Sequence, residues 1–382
     1  MADLNILGNS QVHDLLIGLS RSDIQSIKNE IGESLIQFST GPEEAYQPEP
    51  GIVVRPDGQK VLFRPFTSVE RVGVKVIVEP PSRSASAPAN LQTLGGQPSA
   101  LAPIRGLLAV CDKDGRAVGV INAEEVTGYR TSLSAMIMYM ERLKTDNIVV
   151  FGAGMQALWH IRLALALRGD EIKRIHVINR SPSRAEATVK KLREENQHRW
   201  KSCAKIDFLA STHKKYESEL ERLTGEADAI FCTIPSGKPH FPASYIKLDE
   251  TNTKGPYISA IGSWQPGMIE LDPSLMRRAA EASIRYHLPG HPEGAVIVDD
   301  RKCCLLHTDE LIQSKLHGRQ TIAVGEILQM KQRASGCSMD AWLKEGFVIY
   351  KSVGVGVTDL AAGNAILSLA AKHHLGTKVA NF

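Results

Sequence analysis

The chain has 382 residues, enough for two domains of ordinary size, and its 43% hydrophobic and 23% charged residues are typical of a globular protein. A formal net charge of +3 is close to neutral for this length, so it does not indicate a nucleic-acid or membrane partner. No apolar run is long enough to cross a bilayer. Because the N-terminus also lacks the basic start and apolar core of a signal peptide, we expect a cytoplasmic protein.

The cysteines and histidines do not form a pattern typical of a metal site. The six cysteines include no C-x-x-C pair, which favours reduced thiols in or near the core. His287 and His291 are four residues apart, but Pro289 and Gly290 between them exclude a shared helical face. We therefore expect no metal.

The first 128 residues combine helical and strand-like patterns. Apolar residues recur at helical spacing over residues 12–19 and 24–36, which predicts two helices. Apolar, β-branched runs then predict strands at residues 51–55, 60–63, 72–78 and 107–111, and the Asp-Gly pairs at residues 57–58 and 114–115 predict hairpin turns. A segment rich in Pro, Ser, Ala and Gly, residues 79–103, predicts a long loop that is either mobile or folded over a site. This part is predicted to be an α+β domain with an antiparallel sheet.

From residue 147 onward, strand-like and helical segments alternate, after a helical pattern over residues 126–140. Such alternation predicts a parallel sheet covered by helices, with cofactor-facing residues just after the strand ends. Beyond Gly325 the alternation stops, and we expect the remaining chain to return to the first domain. The predicted organisation is an α/β protein in which a Rossmann-type domain, residues 129–324, is inserted into an α+β substrate-binding and dimerisation domain, residues 1–128 and 325–382.

A glycine-rich loop separates an apolar strand from a helix at residues 147–167. The loop reads G-x-G-x-x-A, with Gly152, Gly154 and Ala157 at the fixed positions. A strand that enters a helix through such a loop directs unpaired N–H groups and the positive end of the helix dipole at one point, where a pyrophosphate fits. The motif alone is a weak signal, but the strand before it and the helix after it favour dinucleotide binding.

An NAD site usually has an acidic residue at the end of the second strand, and this chain has Asn179, Arg180, Ser181 and Arg184 there instead. A guanidinium can stack on adenine or bind a 2′-phosphate, which favours NADP over NAD, with NAD still possible. The alternative is that both arginines are merely solvated, but positive charge is unfavourable at a helix start.

Two further turns follow predicted strands and are expected near the cofactor, residues 233–236 at the ribose and residues 260–263 at the nicotinamide. Both could instead be plain turns. The complete set of predicted cofactor-binding residues is Gly152, Gly154, Met155, Gln156, Asn179, Arg180, Ser181, Arg184, Thr233, Pro235, Ser236 and Ile261.

Lys75 is unusual because it lies inside the valine-rich run of residues 72–78, where burying an ammonium is costly without an anion beside it. The alternative is an edge-strand lysine that discourages aggregation. Arg55 and Arg64 on neighbouring strands could converge with it, and Arg130 lies where the first domain passes into the second. Cations that meet at a nicotinamide would imply an anionic substrate, most simply a carboxylate.

These residues resemble the ornithine cyclodeaminase/mu-crystallin family. The specific part is the R-T-x-x-x-A segment from Arg130 paired with the glycine loop. The supporting segments, in chain order, are residues 125–135, 152–157, 179–180, 233–236, 269–272, 324–326 and 351–354. The resemblance implies a Rossmann domain inserted in an α+β domain that dimerises through its sheet. It also implies that Arg55, Lys75 and Arg130 hold an α-imino or α-amino carboxylate against the nicotinamide.

One position departs from the family pattern. Members that deaminate ornithine or oxidise alanine resemble A-x-G-x-D-x-P-G-x-x-E-L after the fifth strand, and Trp264 stands here where they have the aspartate. An indole cannot accept a proton or pair with a distal ammonium. The resemblance is therefore greater to the mu-crystallin-like branch, which reduces cyclic ketimine carboxylates with NADPH.

The sequence thus predicts an NADPH-dependent oxidoreductase in which Arg55 and Arg130 bind a substrate carboxylate and Lys75 polarises or protonates the imine nitrogen. One alternative is an ornithine or lysine cyclodeaminase with tightly held NAD. The other is a crystallin-like protein that binds NADPH with little turnover. The expected partners are a small carboxylate-bearing molecule and a second copy of the chain, with no nucleic acid and no membrane.

Overall fold

The computed structural model describes residues 3–80, 105–248, 254–333 and 338–382. The strands are β1 Leu4–Leu7, β2 Gly51–Val54, β3 Lys60–Thr67, β4 Arg71–Glu79, β5 Arg105–Asp112, β6 Ala117–Asn122, β7 Asn147–Phe151, β8 Arg174–Asn179, β9 Lys205–Ala210, β10 Ala229–Cys232, β11 Tyr257–Ala260, β12 Val296–Val298, β13 Thr321–Ala323, β14 Val348–Lys351 and β15 Thr377–Val379. The helices are α1 Asn9–Ile17, α2 Arg21–Thr40, α3 Ala123–Tyr139, α4 Met155–Arg168, α5 Pro182–His198, α6 Tyr216–Gly225, α7 Pro273–Ile284, α8 Arg301–His307, α9 Asp309–Ser314, α10 Val324–Arg333, α11 Ser338–Glu345 and α12 Gly356–Lys372.

The chain divides into two compact units. Unit 1 comprises Met1–Gly18, Glu43–Thr127 and Asp359–Phe382, and unit 2 comprises Leu19–Pro42 and Gly128–Thr358. In the part of the chain that the structure describes, no helix is long and apolar enough to cross a membrane. The cytoplasmic location expected from the sequence stays a prediction.

Unit 1 is built on a seven-stranded sheet in the order β15-β1-β6-β5-β4-β3-β2. One face is closed by buried apolar side chains, Leu62, Phe66, Ile77 and Leu108 among them. A Cβ on Gly363 of α12 would lie 2.7 Å from the Leu108 side chain, so the glycine lets this helix lie directly on the sheet. That close approach brings the first turn of α12 over β4 and β5.

The sheet of unit 1 differs from the prediction in being mixed rather than antiparallel. β1 pairs with β6 in parallel, whereas the other neighbours are antiparallel. The sequence analysis missed β1, β6 and β15 because they are short and lack a long apolar alternation. The loop predicted at residues 79–103 lies outside the described residues from position 81 onward.

Unit 2 contains an eight-stranded sheet in the order β13-β12-β14-β11-β10-β7-β8-β9, and all its neighbours are parallel. The chain leaves β7 towards β8 and β9 and then returns to β10 on the other side of β7. This reversal is the topological switch point of a Rossmann-type sheet, where ligands bind at the carboxyl ends of the strands. The predicted α/β class and Rossmann-type sheet are confirmed.

The boundaries of the units differ from the predicted ones at two places. β14 lies inside the sheet of unit 2, because its four residues are all buried and pair with β11 and β12. The segment that joins unit 1 therefore begins at Asp359 rather than at residue 325. α2 belongs to unit 2, where a Cβ on Gly325 of α10 would collide with the carbonyl of Leu35. Apolar periodicity predicts that α2 is a helix, but it does not show that α2 packs on α10 and so belongs to unit 2.

Candidate functional site

The carboxyl edge of the parallel sheet carries the glycine loop at its switch point. Gly152 follows β7 with φ +126°, a conformation that side chains rarely adopt, and its N–H donates to the carbonyl of Ile178 at 2.9 Å. A Cβ there would lie 2.5 Å from Oγ1 of Thr233. The tight turn therefore requires glycine at this position, as the sequence predicts.

Gly154 has a different role, because its conformation is ordinary and its surroundings are open. It is the N-cap of α4 in an extended conformation, with no side-chain cap hydrogen bond, and a Cβ there would meet no atom within 4 Å. The first amides of any helix have no intrahelical acceptor and lie at the positive end of its dipole. Gly154 thus leaves open space at the positively polarised start of α4, and a helix start of this kind favours an anion.

Polar contacts also hold the glycine bend, residues 152–157, in place. Thr188 of α5 donates from Oγ1 to the carbonyl of Ala153 at 3.2 Å. The Nδ1 atom of His160 lies 2.8 Å from the carbonyl oxygen of Gln156 and 2.8 Å from Oγ of Ser132. Since a carbonyl can only accept, this nitrogen carries the proton. Burial lowers the pKa of His160 to about 4, so the ring is neutral at ordinary pH.

The neighbouring strands end in two turns rich in exposed cations. Arg180 and Arg184 are exposed around the start of α5, where Ser181 caps the helix. Asn179 pairs in register with Ala210, and Oγ of Ser211 donates to the carbonyl of Arg180 at 3.1 Å. This hydrogen bond joins the turn after β8 to the turn after β9.

The turn after β9 adds Lys214 and Lys215, which are exposed at the start of α6. Within the described ranges, no ion pair joins these two lysines, Arg180 or Arg184 to a carboxylate. Positive charge is unfavourable at the start of a helix, and here it occurs at the starts of two neighbouring helices. This second turn was not predicted from the sequence, because its lysines lie several residues after the end of β9 and belong to no recognised motif.

On the other side of the switch point, the turns are fixed by buried carboxylates. Glu270 is fully buried, and its Oε2 accepts from the backbone N–H groups of Gly262 at 2.6 Å and Ser263 at 3.0 Å. Oγ of Ser263 donates to Glu310 at 2.5 Å. The predicted cofactor residue Ile261 lies just before this clamp, with its N–H bonded to the carbonyl of Cys232 at 3.1 Å.

Lys351 places one ammonium beside this buried acidic pair. Its Nζ lies 3.4 Å from Glu310, 3.5 Å from Glu270 and 3.1 Å from the carbonyl oxygen of Ala260, and all three charged side chains are fully buried. Burial disfavours the ammonium, but the two carboxylates outweigh it and raise the pKa of Lys351. The ammonium of Lys351 therefore stays charged and holds the end of β14 to the turn after β11.

A second buried carboxylate holds the turn after β14. Asp299 accepts from Oγ of Ser352 at 2.6 Å and from the backbone N–H groups of Val353 at 3.1 Å and Gly354 at 2.7 Å. Gly354 has φ +82°, which explains the glycine. Sequence reasoning quoted the Lys351 to Gly354 segment only as part of the family pattern and did not find its partners, because they lie far apart in the chain.

The remaining predicted cofactor residues also lie at this edge. Thr233 follows β10 and donates from Oγ1 to the carbonyl of Phe151 at 2.7 Å, which ties it to the end of β7. Pro235 is exposed, and the hydroxyl of Ser236 is used inside its own turn, 2.6 Å from the carbonyl oxygen of Lys238. Met155 is 37% exposed at the start of α4.

Lys75 in unit 1 has the anion that its burial requires. Its Nζ lies 2.7 Å from the carboxylate of Asp359 in the first turn of α12, and both side chains are almost completely buried. β4 is flanked by β3 and β5, so the alternative of an edge-strand lysine is wrong. The sequence alone did not relate Asp359 to Lys75, because the two residues are 284 positions apart in the chain.

The three predicted substrate-binding cations have different surroundings. Arg55 is exposed in the turn between β2 and β3, where its backbone pairs with Gln59. Arg64 lies on β3 directly opposite Lys75 in the register. Arg130 belongs to unit 2 and is 4% exposed on α3. Within unit 1, therefore, the register brings Arg64 rather than Arg55 beside Lys75.

Among the described residues, no group of three or more His, Cys, Asp or Glu side chains is arranged to hold a metal ion. The charged groups at the carboxyl edge of unit 2 and around Lys75 are lysine and arginine side chains and carboxylates. Their chemistry suits phosphate and carboxylate ligands.

A family model described as "Ornithine cyclodeaminase/mu-crystallin family" matches residues 67–373. A Δ1-pyrroline-2-carboxylate reductase of Bacillus cereus is 23% identical over 282 residues, which are 72% of this chain and 74% of that protein. The structure of an archaeal alanine dehydrogenase dimer with bound NAD superposes with a TM-score of 0.69 at 18% identity and covers 100% of both chains. The structure of the Thermococcus litoralis Δ1-pyrroline-2-carboxylate reductase with NADH and L-proline gives 0.69 at 17% identity, covering 98% of this chain and 100% of that one.

Proposed function

The chain belongs to the ornithine cyclodeaminase/mu-crystallin family, and from that premise we propose that it is an NADPH-dependent reductase of carboxylate-bearing imines. Its product is the corresponding amino acid, and a cyclic ketimine carboxylate is the simplest substrate. The observation that carries the proposal is the bend at Gly152 and Gly154, which leaves open space at the uncapped start of α4. A diphosphate fits this bend, because helix amides and dipole favour an anion there.

We propose NADPH rather than NADH because of the turns after β8 and β9. Arg180 offers a guanidinium to a 2′-phosphate, and the turn that Ser211 ties to it adds Lys214 and Lys215. Neither turn contains the acidic residue that would bind an unphosphorylated ribose diol. Support from the similar proteins is coarser, since the two structures compared above were solved with NAD and NADH.

In the proposed reaction, the nicotinamide supplies a hydride to the imine carbon when the cofactor is bound. Lys75 donates a hydrogen bond or a proton to the imine nitrogen. Asp359 accepts a hydrogen bond from the Lys75 ammonium and so fixes it in position. Arg130 is proposed to bind the substrate carboxylate, as the family resemblance implies. The turn held by Glu270 fixes the backbone around Ile261, the predicted nicotinamide contact.

A cyclodeaminase is the second candidate, because the family includes such enzymes. Trp264 stands where ornithine-deaminating relatives have an aspartate, and its indole cannot pair with a distal ammonium. A crystallin-like protein that binds NADPH with little turnover is the third candidate. Such a binding protein would need the glycine bend, but NADPH binding alone would not require the buried Lys75–Asp359 pair.

The test is a spectrophotometric screen of NADPH and NADH against cyclic ketimine carboxylates, keto acid and amine mixtures, and ornithine. We expect consumption of NADPH with the ketimines, and strong loss of turnover in Lys75→Met and Arg130→Ala with NADPH affinity retained. Ammonia release from ornithine without net change in NADH would support the cyclodeaminase. A saturable quench of NADPH fluorescence without consumption would support the binding protein. Unaffected turnover in both variants would reject the proposed roles.

We also propose that the chain forms a homodimer through the outer face of the unit 1 sheet. Phe63, Val76 and Leu107 are neighbours across β3, β4 and β5, and Phe63 and Leu107 are each 42% exposed. An apolar row of this kind on an open sheet face is typical of a protein interface. Sedimentation at micromolar concentration should give a dimer, and Phe63→Lys should shift it towards the monomer.

A further inference from the structure

Arg64 lies at a position that the reaction scheme above does not use. β3 and β4 are antiparallel, and their register places Arg64 directly opposite Lys75. Directly opposite residues in an antiparallel pair share a face, with Cβ atoms about 4.5–5.5 Å apart. The guanidinium and the ammonium are therefore carried side by side on the same face of the sheet.

The burial pattern shows that this face opens at Arg64. Leu62 and Phe66, two residues to either side on the same strand and face, are 4% and 0% exposed, while Arg64 is half-buried. Lys75 beside it is 1% exposed. Arg64 is thus the solvent-accessible member of this pair of cations, and its register partner Lys75 is buried.

Two like charges directly opposite each other on a sheet destabilise it unless an anion is shared between them. Asp359 lies 2.7 Å from Nζ of Lys75 and provides one negative charge. A small carboxylate presented to the open side would bring a second one. The planar guanidinium of Arg64 suits such a carboxylate, because a guanidinium can donate two parallel hydrogen bonds to the two carboxylate oxygens.

Arg55 does not have this geometry. Val54 pairs with Lys60 and Arg64 pairs with Lys75, so Arg55 lies beyond the Lys60 end of β3. Arg64 is four residue steps from Lys60, which is about 14 Å along the strand. Arg55 is also exposed in its hairpin turn.

We propose that Arg64 is the carboxylate-binding arginine of unit 1, in place of Arg55, and that it acts beside the Lys75–Asp359 pair. This inference rests on the proposed reduction of a carboxylate-bearing imine and names a residue that recognises the substrate. It separates two roles on one sheet face: Arg64 binds the carboxylate, and Lys75 serves the imine nitrogen.

The experiment compares Arg64→Gln, Arg64→Lys and Arg55→Gln, with Arg116→Gln as a matched control in an exposed turn of the same sheet. Each is assayed with Δ1-pyrroline-2-carboxylate and with Δ1-pyrroline, which lacks the carboxylate. We expect Arg64→Gln to raise KM for the carboxylate substrate about 10- to 100-fold, as for a lost charged hydrogen-bond pair. The kinetics with Δ1-pyrroline should change less than 3-fold, and Arg64→Lys and added guanidinium should restore part of the loss.

Two outcomes overturn the inference. Either Arg55→Gln raises KM while Arg64→Gln does not, or Arg64→Gln impairs both substrates equally. If the wild-type protein reduces neither imine, the proposed function fails, and the inference is then tested by binding alone. Thermal stabilisation by L-proline but not by prolinol, lost in Arg64→Gln and kept in Arg116→Gln, supports it. Equal stabilisation of wild type and Arg64→Gln rejects it.

Discussion

The two sides of the carboxyl edge in unit 2 organise charge in opposite ways. After β8 and β9 the turns carry exposed cations, Arg180, Arg184, Lys214 and Lys215, and we call these the open turns. After β11 and β14 the turns are held by the buried carboxylates of Glu270 and Asp299, and we call these the clamped turns.

The difference suggests separate roles for the two sides, one in binding a charged ligand and the other in fixing the backbone. Exposed cations cost little to maintain and attract an anion through a field that salt screens. Buried charges are costly unless they are paired. They therefore contribute little to attracting a ligand, but they hold the backbone around them in one position. Under the proposed function, the open turns suit binding of the 2′-phosphate, and the clamped turns suit accurate placement of the backbone near the nicotinamide.

The largest effect is expected from Lys351→Met in the clamped turns. Removing the ammonium leaves Glu270 and Glu310 buried together without a cation. We expect the free energy of unfolding to fall by about 3–5 kcal/mol, as for other broken buried ion pairs. Urea denaturation measures it, with Lys214→Met from the open turns as control, for which the change should stay under about 0.5 kcal/mol. Equal changes in both variants would remove the distinction between the two sides.

The next effect concerns His160, the buried neutral histidine beneath the glycine bend. Its folded pKa of about 4 lies below the ordinary value of 6.5, so the unfolded chain binds the extra proton between these values. Stability should therefore fall as the pH drops from 6.5 towards 4, by up to about 3 kcal/mol. Urea denaturation at several pH values should show this slope in the wild type and a flatter one in His160→Gln. A slope that is the same in both proteins would contradict a neutral His160.

A third test separates the two glycines of the bend, which lies between the open and clamped turns. A Cβ at Gly154 would meet no protein atom within 4 Å, so Gly154→Leu extends its side chain from open space into the proposed phosphate position. We expect NADPH affinity to fall about 100-fold, equivalent to about 2.7 kcal/mol, with little change in melting temperature. Gly152→Ala, in contrast, should lower the melting temperature, because its φ is positive and its Cβ would meet Thr233. Full NADPH affinity in Gly154→Leu would exclude the bend as the phosphate site.

The smallest effects are expected in the open turns. Arg180→Gln should weaken NADPH binding about 10-fold at low salt and Lys214→Gln about 2- to 5-fold, because single exposed charges contribute about 1 kcal/mol or less beyond a direct hydrogen bond. NADH affinity should not change in either variant, and both effects should shrink as salt is added. Fluorescence titration measures all of these. An equal loss for NADH would show that the open turns do not recognise the 2′-phosphate.

The sequence was most informative where function depends on a local pattern. The bend at Gly152 and Gly154 follows from a motif between a strand and a helix, and the structure shows a positive φ at Gly152 and open space at Gly154. The alternation of strands and helices likewise predicted the parallel sheet, because each βαβ unit is formed by neighbouring segments of chain.

Contacts between distant segments could not be predicted in the same way. Asp359 meets Lys75 across 284 positions, and Lys351 meets Glu270 across 81, so no spacing in the sequence relates the partners. The register of β3 on β4, which puts Arg64 rather than Arg55 opposite Lys75, depends on pairing that a single sequence does not specify. The buried strand β14 was assigned to the wrong unit for the same reason, since an apolar run does not show which strands it pairs with.

The most direct test of the central claim is isotope transfer from cofactor to substrate. The wild-type protein is mixed with NADPH deuterated at C4 of the nicotinamide and with Δ1-pyrroline-2-carboxylate, and the product is analysed by mass spectrometry. The account predicts proline that carries one deuterium at Cα, with matching loss of label from the cofactor. Unlabelled proline, or no proline alongside ammonia release from ornithine, would contradict it.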